Sequence, residues 1–361
     1  MKVGGVARRT IWPAAAADAV WVIDQRALPH RWTEARLASV DDVRQAIAQM
    51  WVRGAPLIGA AAAYGMALQC RVNAADAALQ AAKLLLDSAR PTAVNLAWAT
   101  QRMLDGLRPV ALPDRAEQAW QQAAAIAEED VTANAAIGRH GLAMLQALAR
   151  AKPAGAPLQL LTHCNAGWLA TVDWGTALAP VYQAQAAGLD LHVWVDETRP
   201  RNQGASLTAW ELGQAGIQHT VIADNTGGHL MQRGQVDVVI VGADRVSARG
   251  DVCNKIGTYL KALAARDNGV PFYVAVPRST FDASVDDGLA GIPIEARSPR
   301  ELTHISGLDA QGRLTEVQLT PAGSPALNPA FDVTPARLVS GLITERGIVS
   351  ADAQAIAYHL K

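Results

Sequence analysis

Two textures of apolar and polar positions divide the chain. From Asp41 to about Arg150, Ala, Leu, Gln and Arg recur at helical spacing, interrupted at Arg90-Pro91 and across residues 107–113 (LRPVALP). Apolar positions three and four apart predict a set of amphipathic helices. The longest apolar run, Ala55 to Leu68, is rich in Ala and Gly, and it falls short of the ~20 residues that a bilayer-spanning helix needs. It predicts a buried helix. After Lys152-Pro153 compact β-prone runs take over: LQLLT (158–162), LHVWVDE (191–197), HTVIAD (219–224), VDVVIVGAD (236–244) and VPFYVAV (270–276). Near-continuous apolar runs alternating with helix-forming segments predict parallel strands covered on both faces. Gly-Leu-Asp, Gly-Gln-Ala-Gly and Asp-Asn-Gly precede three of the runs, as expected where a helix stops before the next strand. Near the start, Val20 to Ile23 followed by Leu28-Pro29 predicts a small hairpin or edge strand. The expected fold is α/β, with a helical N-terminal domain (1–150) and a Rossmann-like, doubly wound parallel-sheet C-terminal domain (151–361).

Composition narrows the function. The 361 residues, 50% of them hydrophobic, exceed the length at which one core stops growing, in keeping with two domains. With 32 basic and 33 acidic residues the formal charge is -1, and no dense Lys/Arg tract stands out. Nucleic acid and anionic membrane are therefore excluded as main partners. Cys70, Cys164 and Cys253 are odd in number, far apart and free of CxxC spacing, which suits a reducing cytoplasm without a disulfide framework. Arg8 and Arg9 precede an Ala-rich stretch, but Pro13, Asp18 and VWVIDQ interrupt it, so it is not read as a targeting signal.

In an open parallel sheet, ligands bind beyond the carboxyl ends of the strands. The segments there are THCNAG (162–167), DETRPRNQGASLTAWEL (196–212), DNTGG (224–228), GADRV (242–246) with DVCNKIGTY (251–259), and PRSTFD (277–282). Their Cys, Asp, Arg, Asn and Lys content suits a small anionic ligand. Cys164 precedes small residues that expose backbone amides. A thiol there serves as acid or base when dipoles or cations lower its pKa, although a structural buried cysteine fits the position equally. Asp244 ends an apolar run, where burial favours the protonated, proton-donating form. Capping a following helix or pairing with Arg245 is the other reading. Arg53-Gly54-Ala55-Pro56 before the Ala-rich helix makes an anion site at a helix N-terminus, which Arg90 can join. Asn254 and Lys255, on the loop expected after Asp244, add a donor and a cation, and Gln203-Gly204 adds a close approach. His163, Asp196, Glu197, Asp224 and Asn225 are second-rank candidates, and Cys253 is read as structural.

Other chemistries lack their residues. No G-x-G-x-x-G follows a strand, and Gly54-x4-Gly59 is followed by Ala60 and Ala61 where a P-loop needs Lys and Ser/Thr. There is no HExxH, acidic EF-hand loop or metal-spaced cysteine pair, so no metal is expected.

Taken together, RGAPLIG, RPTAVNL, THCNAG, ETRPRNQG, DNTGG, GADRV with NKIGTY, and NPAFDVTP with LITERGI resemble the methylthioribose-1-phosphate isomerase family. The likeness is collinear from IDQRALPH, near residue 30, to residue 348. It implies a homodimer without cofactor that isomerises a sugar phosphate in methionine salvage. On matching positions it implies Asp244 as proton donor, Cys164 as second catalytic residue, and substrate contacts at Arg53, Gly54, Ala55, Arg90, Gln203, Asn254 and Lys255. IPIEARSP keeps the family's IPIE, with Ala296 where a charged residue is expected. The same fold serves ribose-1,5-bisphosphate isomerases and the regulatory subunits of initiation factor 2B, and IDQRALPH favours the methylthio sugar.

Overall fold

The computed structural model describes residues 1–90 and 93–361; Pro91, half of the expected Arg90-Pro91 break, lies outside them with Thr92. Where a hairpin or edge strand was expected near the start, a three-stranded antiparallel sheet forms from Ile11–Pro13, Val20–Ile23 and Glu34–Leu37, preceded by the small hairpin Lys2–Val3 and Val6–Ala7. Helices follow at Val40–Ala48, Ala55–Val72, Asp76–Asp87, Val94–Leu107 and Arg115–Arg150. The first opens with a reciprocal capping box between Ser39 and Asp42. Ala55–Val72 is the hub, buried on nearly every side. Its Ala and Gly residues let the other four helices pack closely around it.

Beyond residue 157 a seven-stranded sheet forms in the order Gly347–Val349, Gly341–Thr344, Phe272–Ala275, Val238–Val241, Leu158–Thr162, Leu191–Asp196, His219–Ile222. Its pairs are parallel except the Gly341–Thr344 and Gly347–Val349 pair. Alternate residues feed opposite cores. Leu158, Leu160, Val193, Val195, Val238 and Ile240 pack with Val181, Leu212, Ile137 and Leu145. Leu161, Val239, Val241, Phe272 and Val274 pack with Leu230, Ala262 and Ile356. Both faces are thus covered, which is why these strands read as continuous apolar runs.

The chain runs from Leu158–Thr162 outward through the next two strands, then returns to lay Val238–Val241 on the other side of the first, pairing Leu160 with Val238 and Leu161 with Val239. Strand order reverses between these neighbours, and their outgoing loops part to leave a crevice. Cys164 leaves one strand and Asp244 the other. A second, four-stranded sheet, ordered Phe281–Asp282, Arg245–Ser247, Val252–Lys255, Phe331–Thr334, stands at this end. Asn254 and Lys255 therefore lie on a strand, not the loop expected from sequence. A strand, not a helix, follows Asp244, which removes the helix-capping reading. The pairing with Arg245 fails too, since that guanidinium reaches Asp282 at 3.1 Å.

Candidate active site

Cys164 is buried and adopts a φ of 67°, a left-handed conformation uncommon for a residue with a side chain. Two hydroxyls hold it there. Its amide donates to Thr198 Oγ1 at 2.8 Å, and its carbonyl accepts from Thr208 Oγ1 at 2.8 Å. Thr208 closes a π-helical turn, Gly204–Thr208, a wide turn frequent at functional sites, and Gln203 stands at its start.

Arg53 reaches this loop from the helical part of the molecule. Its guanidinium donates to Asn165 Oδ1 at 2.5 Å and Asn165 O at 2.8 Å, and Nη2 lies 4.0 Å from Cys164 Sγ. Gly54, next in sequence, has φ 92° and begins the helix whose first residue is Ala55, with Pro56 in its first turn. A Cβ on Gly54 would fall 2.3 Å from the carbonyl oxygen of Ala170, so only glycine lets the helix start abut the Cys164 loop. The first-turn amides of Ala55–Val72 and Arg53 thus meet the carboxyl end of the sheet.

Asp244 is half-buried, and its amide donates to Cys253 O at 2.9 Å. Burial pushes its carboxyl above the ordinary aspartate range, against the pull of Lys255, Arg90 and Arg53. This is the direction expected from its apolar strand. Lys255 is buried; its ammonium donates to Ala330 O at 3.0 Å and sits 4.6 Å over the Phe331 ring. Burial lowers its pKa, while Cys164 and Asp244 act to raise it, so one ammonium lies within electrostatic reach of both. Asn254 Nδ2 donates to Thr258 Oγ1 at 3.0 Å.

Arg90, also buried, donates to Glu295 Oε2 at 3.2 Å, while its Nε has no partner among the described residues. Buried Gln203 likewise leaves Oε1 without one. Buried polar groups are nearly always satisfied, and these two offer a donor and an acceptor to a ligand. Arg53 and Gln203 line a cleft of about 210 Å³ with Leu28, Met50, Leu207 and Ile305; Cys164 and Asp244 are not among its walls.

Of the second-rank candidates, His163 bonds Asp196 through Nδ1 and the Ile256 carbonyl through Nε2, both at 2.8 Å. It ties the Cys164 loop to the strand carrying Lys255. His163, Asp196 and Asp224 bring three ligand atoms within 4.8 Å of one another. Lys261 supplies a cation to this cluster, 3.2 Å from Asp196. Asn225 precedes the helix Thr226–Gln232 without a side-chain cap bond, and Glu197 offers its backbone carbonyl to Ala205 N. Cys253 is fully buried, with its thiol pKa pushed up by burial. Sequence reasoning did not single out Thr198, Thr208 and Glu211 within the segment 196–212, and it missed Tyr182; their types and positions signal nothing until the loops are folded.

An α/β chain that gathers a thiol, a carboxyl of raised pKa and three buried cations at the switch point of its sheet has the machinery of an enzyme acting on a small anion. The chain belongs to the initiation factor 2 subunit family, whose model matches residues 51–351. It is 59% identical over 357 residues to the methylthioribose-1-phosphate isomerase of Methylocella silvestris, covering 99% of this chain and 98% of that one. It is 60% identical over 361 residues to the protein of the same name from Rhodospirillum rubrum, covering 99% and 93%. Among solved structures, the 5-methylthioribose 1-phosphate isomerase of Pyrococcus horikoshii OT3 shares 40% identity with a TM-score of 0.81, covering 98% of this chain and 95% of that one. The translation initiation factor eIF-2B subunit delta from A. fulgidus shares 38% with a TM-score of 0.78, covering 98% and 100%. The resemblance read from the motifs holds across the chain.

Proposed function

We propose that the chain is an aldose-ketose isomerase converting 5-methylthioribose 1-phosphate to 5-methylthioribulose 1-phosphate in methionine salvage. Relatives of that name, matched over nearly the full length of both chains, support the reaction and substrate. The observation that carries the site assignment is the convergence of Cys164, Asp244 and Lys255 with Arg53 at the sheet's switch point.

The substrate is a furanose with its anomeric oxygen esterified, so its ring cannot open as a free hemiacetal does. An acid must protonate the ring oxygen, and Asp244, its pKa raised by burial, takes that role. Arg53, Arg90 and Lys255, with the amides at Gly54 and Ala55, hold the phosphate; Gln203 and Asn254 position the sugar. As the C1 to ring-oxygen bond breaks, hydrogen must leave C2 and arrive at C1. In the proton route the Cys164 thiolate takes the C2 proton, an enol phosphate forms, and the thiol returns the proton to C1 as C2 becomes the ketone and the 2-hydroxyl proton restores the Asp244 carboxyl. In the hydride route the C2 hydrogen shifts with its electron pair to C1, Cys164 stabilises the developing charge, and the 2-hydroxyl proton leaves to restore the Asp244 carboxyl. Either route is internally redox-neutral, so the proposal includes no cofactor and no metal.

The proposal extends to a homodimer in the cytoplasm, built from an N-terminal domain of residues 1–150 and a catalytic domain of residues 151–361. Among the described residues no helix is long and apolar enough to cross a membrane. Purified protein given 5-methylthioribose 1-phosphate should form the ketose. Turnover of ribose 1,5-bisphosphate alone would move the assignment to that isomerase. No turnover of either sugar would reject the enzyme and favour a sugar-phosphate-sensing regulatory subunit. In D2O, deuterium at C1 of the product excludes a pure hydride shift.

A further inference from the structure

Glu211, on the helix Ala209–Gln214, is a fully buried carboxylate that the proposed chemistry does not use. Both of its oxygens are filled. Oε1 accepts from Asn165 Nδ2 at 2.9 Å and Leu169 N at 3.0 Å; Oε2 accepts from Trp168 N at 2.9 Å and Tyr182 Oη at 2.5 Å. The chain makes room for it, since a Cβ on Gly167 would fall 1.8 Å from Oε2. The bond to Asn165 matters beyond the carboxylate. Asn165 also turns Nδ2 toward Thr208 Oγ1 at 3.2 Å, and that hydroxyl spends its proton on the Cys164 carbonyl. Two acceptors thus fix which end of the Asn165 amide is which. The end left over is Oδ1, which accepts Arg53 Nη1 at 2.5 Å.

We propose that Glu211 is a positioning residue: it orients the Asn165 amide, and through Asn165 it sets the Arg53 guanidinium for anion binding beside Cys164. The logic is donor and acceptor parity. An ionised carboxylate only accepts, so it admits only the NH2 end of the amide. Glutamine at 211 is nearly isosteric but presents both a donor and an acceptor. The Asn165 amide is then held only by its longer bond to Thr208 and can flip, which aims its NH2 group at a guanidinium that has only donors, and Arg53 keeps only its bond to the Asn165 backbone carbonyl. The inference rests on Arg53 being an anion ligand of the proposed site.

The test is a double-mutant cycle read with inorganic phosphate by calorimetry, alongside turnover of 5-methylthioribose 1-phosphate. With the fold confirmed by circular dichroism, Glu211→Gln should weaken phosphate binding and raise KM by roughly 10-fold, while kcat changes far less. In an Arg53→Ala background the same substitution should change phosphate affinity less than about twofold, because the route to the ligand is already cut. A purely structural glutamate gives equal losses in both backgrounds, or a loss of stability with no split between KM and kcat. Either result overturns the proposal, as does a Glu211→Gln protein with wild-type KM or a wild type that binds no phosphate. Should Glu211→Gln not fold, Asn165→Ala keeps three of the four donors to the carboxylate and must give the same loss and the same non-additivity with Arg53→Ala. A wild type that binds phosphate but isomerises nothing rejects the proposed function, and the phosphate cycle still judges the relay.

Discussion

Gly54→Ala tests whether the helical part of the molecule and the Cys164 loop must touch at a single backbone contact. The new Cβ would lie 2.3 Å from Ala170 O and 2.6 Å from Ala170 Cα, both backbone atoms, where ordinary contact begins at 3.4 Å. No side-chain rotation relieves that overlap, so one backbone must retreat by roughly 1 Å, the kind of overpacking that costs about 1–3 kcal/mol. The φ of 92° adds a conformational cost of about 1–2 kcal/mol for any residue with a side chain. A destabilisation of about 2–5 kcal/mol follows from the two effects. The retreat also moves Arg53 relative to Asn165, and a misplacement of about 1 Å can cost on the order of 10²-fold in rate. Urea denaturation followed by tryptophan fluorescence gives the first quantity, and turnover across substrate concentrations gives the second. A variant within about 0.5 kcal/mol of wild type, the range of an ordinary surface change, with unaltered KM would refute the reasoning.

Four further substitutions probe other parts of the site and its surroundings. Asp244→Asn and Cys164→Ser should fold normally by circular dichroism and lose turnover by on the order of 10²-fold or more; a near-normal rate in either removes that residue from the chemistry. Lys255→Met removes a cation that pulls the Asp244 pKa down, so the alkaline limb of the pH-rate profile should move to higher pH as the rate falls; a limb that stays in place argues that Asp244 is not the acid. Asp130, which accepts Val172 N at 2.7 Å, has its pKa raised by burial from 3.8 to about 7. The folded state therefore binds more protons than the unfolded between these values, and stability falls as pH rises through that window, by up to about 4 kcal/mol. Asp130→Asn should remove the fall, so that wild type loses stability relative to the variant between pH 4 and pH 7 in denaturant titrations; parallel curves would contradict it.

What could be read from the sequence follows from where apolar side chains sit. Strands such as Leu158–Thr162 and Val238–Val241 are buried on both faces, so nearly every position carries the signal, and the polar residues just beyond them stand out as candidates for a ligand site. Asn254 and Lys255 read as loop because polar side chains end their strand, which erases the apolar pattern. The hairpin His304–Leu308 with Leu314–Gln318 is largely exposed and gave no period to detect. Glu211 was invisible for another reason. Its meaning lies in four donors, three from the segment 165–169 and one from Tyr182, and only the folded loop brings them together. The same holds for the left-handed Cys164, whose conformation depends on two distant threonine hydroxyls.

The placement of cations around Asp244 bears on how one carboxyl can serve as an acid at neutral pH. Burial raises its pKa, and Lys255, Arg90 and Arg53 oppose that rise. In the free protein the two tendencies compete. Under the proposed function, the substrate's phosphate is held by those same three cations, so its negative charge offsets their pull on Asp244 and leaves burial the dominant influence. Closure of the site around a sugar removes water and strengthens the effect. Substrate binding thereby favours the protonated carboxyl at the moment a proton donor is needed. The division of labour between the two parts of the chain gains a reason: the helical segment brings Arg53 and Arg90, the sheet brings the carboxyl and the thiol, and the ligand's charge couples them.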